Sequence, residues 1–152
     1  MVSLNKRQSG FTIVELLIVI VVIGILATLV IVTFTGIQQK ARDSKRKTDI
    51  GALQTTLENY YGSNNTFPTL ADLNSTTWQK ANIPGFDPNA LQDPKGNSQT
   101  VAATASATQY GYVVTPSGCD DTANAANPCT NYVLTADLET GTGQTFVKQS
   151  NN

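Results

Sequence analysis

One acidic residue, Glu15, lies in an apolar stretch that is long enough to cross a membrane. It is the only charged residue from Phe11 to Val32, and a short basic leader with Lys6 and Arg7 precedes the stretch. A carboxylate at the centre of a bilayer costs roughly 2.5 to 3.5 kcal/mol, so such a residue usually has a function and a partner. The natural partner of a carboxylate in lipid is a cation, and the uncut chain offers none close by.

Cutting the chain after Gly10 would create that cation. The cut frees the amino group of Phe11, which then lies one helical turn from Glu15 on the same face. An ordinary secretory signal is cut after its apolar core, whereas here the small residue precedes the core. The apolar segment would therefore stay in the mature protein. The plainer alternative is an uncleaved anchor with Glu15 as a tolerated charge, but an anchor needs neither Glu15 nor a Gly-Phe-Thr sequence before it.

These residues resemble the prepilin signature of type IV pilins and pseudopilins, in which a basic leader ending in Gly precedes Phe-Thr-x-x-Glu-Leu. The matching residues are Gly10, Phe11, Thr12, Glu15 and Leu16. The resemblance implies cleavage between Gly10 and Phe11 by a prepilin peptidase and N-methylation of Phe11. It also implies that Glu15 pairs with the Phe11 amine of a neighbouring subunit and so sets the register of assembly. The same pair could form within one chain.

The composition argues against an enzyme. The chain has 152 residues and no histidine, so the commonest general base and metal ligand are missing. We expect no catalytic residues, no metal site and no cofactor. A formal net charge of -1 excludes a strongly basic nucleic-acid binder, although not a local basic patch. Asp120, Asp121, Asn124 and Asn127 form an oxygen-rich loop, but they lack the spaced ligands of a calcium loop, so a solvated loop is expected.

The two cysteines, Cys119 and Cys129, are separated by a polar loop. In a domain that follows a membrane segment out of the cytoplasm, such a pair is typical of one disulfide. Two free thiols in a cytosolic domain are the alternative. The membrane segment makes the disulfide the better prediction.

A helical pattern continues beyond the membrane segment, and we predict one helix from Phe11 to Tyr61. No proline interrupts residues 33–61, and Ile50, Leu53 and Leu57 form an apolar stripe at helical spacing. The predicted organisation is a removed leader (1–10), a transmembrane and polymerisation half of the helix (11–35), its continuation (36–62) and a globular head (63–152). The stripe predicts that the upper half of the helix packs on the head.

A basic cluster lies in the middle of this helix, and an i,i+4 pair between Asp43 and Lys47 is expected within it. One interpretation is a solvated helix face. The other is a contact patch for anionic lipid, acidic neighbours or DNA. By charge alone the cluster would reverse the membrane orientation, but the resemblance implies a leader on the cytoplasmic side. Its members are Lys40, Arg42, Lys45, Arg46 and Lys47.

The head shows short helices followed by strands. Thr69 and Asp72 form a capping arrangement that predicts one short helix, and residues 77–82 predict another. Alternating residues predict strands over 110–115, 132–138 and 144–148, arranged as an antiparallel meander with the cysteine loop between the first two. Asp137 and Glu139 are expected to be exposed strand acids. The predicted fold class is α+β, type IV pilin-like, with one long N-terminal helix against a small antiparallel sheet.

The function implied by the resemblance is that of a structural subunit of a type IV pilus-like filament, serving adhesion, twitching motility or DNA uptake. The implied partners are copies of the chain itself, the prepilin peptidase, the pilus assembly platform and the cytoplasmic membrane, with DNA or a surface ligand as a further hypothesis. The subunit would cross the inner membrane once with its head outside and then join a cell-surface fimbrium. One alternative is a pseudopilin of a type II secretion or competence machine. An alternative of another class is a membrane-anchored binding module that never polymerises.

Overall fold

A computed structural model describes residues 10–122, 125–141 and 143–151. Only Gly10 of the predicted leader is among these residues. The chain divides into two compact units, residues 1–38 and 39–152. The elements confirm the predicted α+β fold class, and they are α1 (Ile13–Asn64), α2 (Leu70–Leu73), α3 (Thr76–Asn82), a 3-10 helix (Pro88–Leu91), β1 (Gly111–Thr115), β2 (Asn131–Asp137) and β3 (Thr145–Gln149).

Helix α1 continues three residues beyond the predicted stop at Tyr61. The Asn64 side chain donates a 2.9 Å hydrogen bond to the Tyr60 carbonyl oxygen. This bond satisfies one of the last carbonyl groups of the helix, which have no partner within the helix itself. Asn65 then adopts a left-handed conformation with φ 54°, and its N–H donates to the Tyr61 carbonyl at 2.8 Å. Asparagine tolerates this conformation better than most residues, so the helix ends here and not at Gly62.

The core of the second unit is built on the predicted stripe of α1. Ile50, Leu53 and Leu57 are completely buried, which confirms that this part of the helix packs on the head. Aromatic residues of the sheet and loops complete the core, and the Phe67 and Tyr132 rings meet edge to face with centroids 4.7 Å apart. Burial of these large apolar side chains is the main force that closes the unit.

The three strands form an antiparallel meander in the order β1-β2-β3, as predicted. Val113 is paired with Val133, and Thr135 is paired with Val147. Alternate residues of β2 point into the core, and the three buried ones are Tyr132, Leu134 and Ala136. Each strand begins and ends within one residue of its prediction. Residues 138–140 lie beyond β2, so the prediction that Glu139 is a strand residue is wrong.

Local side-chain caps define the short helices. Thr69 caps α2 and hydrogen-bonds the Asp72 carboxylate, as the sequence predicted. Ser75 caps α3 by accepting a hydrogen bond from the Trp78 N–H, so this helix begins one residue before its predicted start. The 3-10 helix was predicted only as a loop. Its cap is Asp87, whose carboxylate accepts the Asn89 N–H at 3.0 Å.

Candidate assembly site

The N-terminus of α1 is closed by a reciprocal pair of hydrogen bonds between Thr12 and Glu15. The Glu15 Oε2 atom accepts from the Thr12 backbone N–H at 2.9 Å and from its hydroxyl at 2.8 Å. The Glu15 N–H donates back to the Thr12 hydroxyl at 3.2 Å. This is a capping box, which satisfies backbone donors that the first helical turn would otherwise leave open. The carboxylate therefore has partners within its own chain.

A long series of mostly apolar side chains begins at the capping box. From Ile13 to Ile37 the large apolar residues of α1 are exposed, from 48% for Val19 to 84% for Ile13. The helix is long and apolar enough to cross a membrane. Its few hydroxyls are satisfied locally, since Thr28 and Thr33 donate to carbonyl oxygens one turn earlier. An exposed apolar surface of this size marks a site of interaction with a membrane or with other protein surfaces.

The basic cluster is not a uniform patch. Lys45 pairs with Asp49 at 2.8 Å, and Arg42 makes a two-pronged contact with the Glu139 carboxylate. Arg46 is completely buried, so the prediction that it belongs to an exposed contact patch is wrong. Only Lys40 and Lys47 of the five are exposed without such a pairing among the described residues. A patch that binds DNA or lipid would therefore have few free charges.

Arg46 lies at the centre of an ion-pair cluster formed by Arg42, Asp43, Arg46, Asp93 and Glu139. Its guanidinium donates to both oxygens of Asp93, at 2.7 and 3.0 Å. It also donates to Asp43 at 2.9 Å and to Glu139 at 2.8 Å. The predicted pair between Asp43 and Lys47 is wrong, because Asp43 faces Arg46 instead. The cluster joins α1 to the loop before β1 and to the turn after β2.

Two carboxylates of the cluster, those of Asp43 and Glu139, have lowered pKa values and remain charged well into the acid range. Burial opposes ionisation of Asp43, but hydrogen bonds from the N–H groups of Glu139 and Thr140 and from the Thr140 hydroxyl lower its pKa. Hydrogen bonds from Arg42 lower the pKa of Glu139 to about 2, with a further contribution from Arg46. Glu139, predicted as an exposed strand acid, therefore acts as an ion-pair partner between two arginines.

Comparison with known proteins identifies the family. Residues 5–31 match the model described as the prokaryotic N-terminal methylation motif. The type II secretion system core protein G of Klebsiella michiganensis is 30% identical over 140 residues, or 86% of this chain and 96% of that relative. The chain belongs to the type IV pilin and pseudopilin family. The resemblance seen in the Gly10-to-Leu16 signature is thereby confirmed.

Other pilin and pseudopilin relatives match over shorter lengths. The type II secretion system core protein G of Aeromonas hydrophila is 46% identical over 65 residues, or 43% of this chain and 46% of the relative. The type IV major pilin protein PilA of Myxococcus xanthus is 35% identical over 68 residues, or 45% of this chain and 31% of the relative. The chain thus spans about half the length of the first of these relatives. No solved structure matches the chain significantly.

The head contains the predicted disulfide. Cys119 and Cys129 are bonded, and their loop joins β1 to β2 as expected. Asp120 takes part in a local turn by accepting the Thr122 N–H at 2.9 Å. Asp121 is only partly exposed, its Oδ2 atom is buried, and burial together with the nearby Asp72 raises its pKa to about 6. Asn124, the further member of the predicted oxygen-rich loop, lies outside the described residues.

Two important acids of the head, Asp93 and Glu139, were not recognised from the sequence as partners of Arg46. Asp93 had a local signal, because it opens the turn 93–96 and accepts the Lys95 N–H at 2.8 Å. Gly96 ends this turn, and a Cβ atom there would lie 2.2 Å from the Thr108 carbonyl oxygen. Glu139 had no comparable signal, since it lies 93 positions from Arg46.

Proposed function

We propose that this protein is a pseudopilin, the filament subunit of a type II secretion machine. The observation that supports this most is the 30% identity with a core protein G along 86% of the chain. The match to PilA, by contrast, extends over 31% of that pilin. A type IV pilus subunit is the second candidate, and the PilA match favours it.

Assembly would begin with removal of the leader. We propose that prepilin peptidase cuts between Gly10 and Phe11 and that the Phe11 amine is then methylated. Nothing lies within 4 Å of a Cβ atom added to Gly10, so the fold itself does not require glycine at this position. The requirement would come from the peptidase. Gly10→Leu should therefore fold but keep its leader, whereas Gly51→Ala, another open position, should be processed normally.

The capping box supports a particular form of the pairing proposed for Glu15. Both hydrogen bonds from Thr12 end on Oε2, and within the described residues no donor contacts Oε1. The Phe11 amine of a neighbouring subunit could therefore bind Oε1 while the cap remains intact. A buried carboxylate paired with a cation is far less costly than an unpaired one. The pair would form only at one axial stagger of adjacent helices, and it would thus set the register.

Cohesion of the filament would come from the exposed apolar surface of α1. Side chains such as Leu29 and Ile31 are more than half exposed in the single chain. Packing them between neighbouring helices allows close dispersion contacts that fluid lipid provides less well. Before assembly the same segment would anchor the subunit in the inner membrane, with the disulfide-bonded head on the oxidising side.

The secretion function can be tested by deleting the gene in its host. The proteins released to the medium and the filaments sheared from the cell surface are then measured separately. A secretion pseudopilin predicts that exported proteins accumulate inside the cell while surface fibres are unchanged. Loss of surface fibres with normal export would instead establish the pilus function and refute the proposal. The intact gene restored on a plasmid is the control.

The role of Glu15 can be tested with Glu15→Val and with Glu15→Gln. Both variants should insert and lose the leader, because the apolar segment and the cleavage site are unchanged. Both should assemble poorly, since neither can neutralise an ammonium group, although Gln can still accept hydrogen bonds from Thr12. Cross-linking of membranes followed by mass measurement reports assembly and processing together. Filament yield equal to wild type in Glu15→Gln would exclude a charge-pairing role.

A further inference from the structure

Two carboxyl groups meet where the start of the disulfide loop lies beside α2. Asp121 follows Cys119 by two positions, and its carboxyl group lies within hydrogen-bond distance of the Asp72 carboxyl group. Carboxylates only accept hydrogen bonds when both are ionised, so a contact between them is favourable only if they share a proton. The proposed filament function uses neither residue, and the inference below does not depend on it.

The surroundings of the two acids differ. The Asp72 carboxylate accepts a hydrogen bond from the Thr69 hydroxyl. The Oδ2 atom of Asp121 is instead buried and has no donor among the described residues. A buried carboxylate oxygen without a donor disfavours the ionised form of its group. The proton of the pair therefore belongs mainly to Asp121.

No cation compensates the pair in the described part of the chain, where no lysine or arginine lies within salt-bridge distance of either carboxyl group. The other titratable groups that face Asp121 are Asp120 beside it, Tyr60 of α1 and Tyr112 of β1. Burial raises the pKa of both tyrosines, so they stay neutral in the acid and neutral range. Burial and the charge of Asp72 raise the pKa of Asp121 to about 6.

We propose that Asp72 and Asp121 form a pH-sensitive latch on the head. While the two groups share a proton, residues 120–122 stay against α2. When the proton leaves, two negative charges face each other without a cation, and their repulsion opens this segment. The disulfide keeps Cys119 in place, so the opening is confined to the residues that follow it.

The remaining contacts of the loop favour an opening at this end. The Thr66 hydroxyl reaches the Asp120 carbonyl oxygen only at 3.4 Å. At the other end of the loop, the Cys129 N–H donates to the Thr66 hydroxyl at 3.1 Å and the Phe67 N–H donates to the Cys129 carbonyl at 2.9 Å. Loss of the shared proton should therefore release residues 120–122 and leave Cys129 attached.

The direction of the pH effect follows from the pKa of Asp121, which is about 6 in the closed segment and has an ordinary value of 3.8. The closed segment binds the proton more tightly, so the contribution of the pair to closure is complete below pH 3.8 and is lost as the pH rises through 6. Between about pH 4.5 and 7.5 the opening equilibrium should rise about 20- to 30-fold. Over this range the contribution of Glu139 stays constant, because its pKa is about 2.

The test uses the isotope-labelled full chain in detergent micelles with a chelator. Carbon NMR signals of the Asp121 carboxyl group report its titration. Hydrogen exchange of the Asp120 N–H, which donates to the Asn127 carbonyl at 2.9 Å, reports opening after correction for its intrinsic rate. The Phe67 N–H is the internal reference, because its partner lies at the anchored end of the loop.

Three variants separate the latch from other effects of pH. Asp121→Asn removes the titrating group, and Asp72→Asn removes the second charge. In both, the new amide can donate to the remaining carboxylate and so keep the segment closed. Asp120→Asn is the matched control, because this acid lies in the same segment and its carboxylate accepts the Thr122 N–H instead.

The expected result is that Asp121 titrates near pH 6 and that exchange of the Asp120 N–H rises about 20- to 30-fold, while the Phe67 N–H changes little. Asp121→Asn and Asp72→Asn should abolish the rise, and Asp120→Asn should keep it. Titration of Asp121 near its ordinary value, or the same rise in Asp121→Asn as in the wild type, would overturn the proposal. An equal rise at both N–H groups would indicate general loosening of the head and would also overturn it.

Discussion

Replacing Arg46 by leucine should destabilise the head more than any other single change in the basic cluster. The guanidinium is fully buried and makes charged hydrogen bonds to Asp43, Asp93 and Glu139, of which the first two are 3% and 1% exposed. Removing one partner of a buried ion pair typically costs 3–5 kcal/mol, because the other charges remain buried without compensation. For a unit of residues 39–152 this corresponds to a loss of roughly 12–20 °C in melting temperature.

The assay is thermal unfolding of the full chain in detergent micelles, followed by near-UV circular dichroism of the buried tyrosines. Arg42→Leu is the matched control, since the Arg42 side chain is 28% exposed and, within the described part of the chain, forms an ion pair only with Glu139. We expect it to cost about 1 kcal/mol or less. The double variant Arg46→Leu, Asp93→Asn should be more stable than Arg46→Leu alone, because one uncompensated charge is removed with the arginine.

Two outcomes would refute this reasoning. One is a decrease in melting temperature for Arg46→Leu that is no larger than the decrease for Arg42→Leu. This would mean that the remaining buried charges find other partners or water. The other is a double variant that is less stable than Arg46→Leu, since the loss would then come from packing and not from buried charge. Either result would remove the ion-pair cluster from the account of how the head is held to α1.

Three further predictions concern the head. Glu139 has an ordinary pKa of 4.5 that is lowered to about 2 on folding. Its contribution to stability should therefore be complete above pH 4.5 and lost as the pH falls toward 2. In Glu139→Gln the melting temperature should depend less on pH over that range than in the wild type. Replacing both Cys119 and Cys129 by serine should cost about 2–3 kcal/mol of unfolding free energy in denaturant titrations, while equal stability of reduced and oxidised wild type would contradict this. Gly96→Ala places a Cβ atom 2.2 Å from a backbone oxygen and should cost about 1–3 kcal/mol, whereas Gly51→Ala in the open helix should be neutral or stabilising by the same measurement.

The N-terminal signature could be recognised from the sequence because its chemistry is local. A predicted cleavage site, an aromatic residue and a carboxylate at a fixed distance are defined by covalent order. The capping box between Thr12 and Glu15 was not predicted, although its spacing is equally local. Only the partner of Glu15 was open, and the structure shows Thr12 as its partner within one chain. Pairing with a neighbouring Phe11 amine stays a prediction.

Most of the secondary structure could also be predicted, because the spacing of apolar residues along the chain reflects which face of a helix or strand is buried. The stripe through Ile50, Leu53 and Leu57 and the alternation through Tyr132 and Leu134 both mark faces that must leave water. The end of α1 was predicted at the wrong residue because the helix does not end before Gly62. It continues to Asn64, whose side chain caps the Tyr60 carbonyl. The residue at which a helix ends depends on small free-energy differences between neighbouring end positions.

The basic cluster shows where sequence reasoning failed. Five basic residues close together indicate an exposed surface when only neighbours along the chain are considered. Arg46 is instead buried against Asp93 and Glu139, which lie 47 and 93 positions away. A charge can be buried only if folding brings counter-charges to it, and no local pattern reports such distant partners.

The sequence alone determined the long apolar segment, the prepilin signature, the helix and the strands, because these features depend on composition, spacing and periodicity within short segments. The tertiary structure decided which charges are free and which are paired. The physical reason is that electrostatic energy depends on distances in space. Those distances exist only after the core has closed around α1.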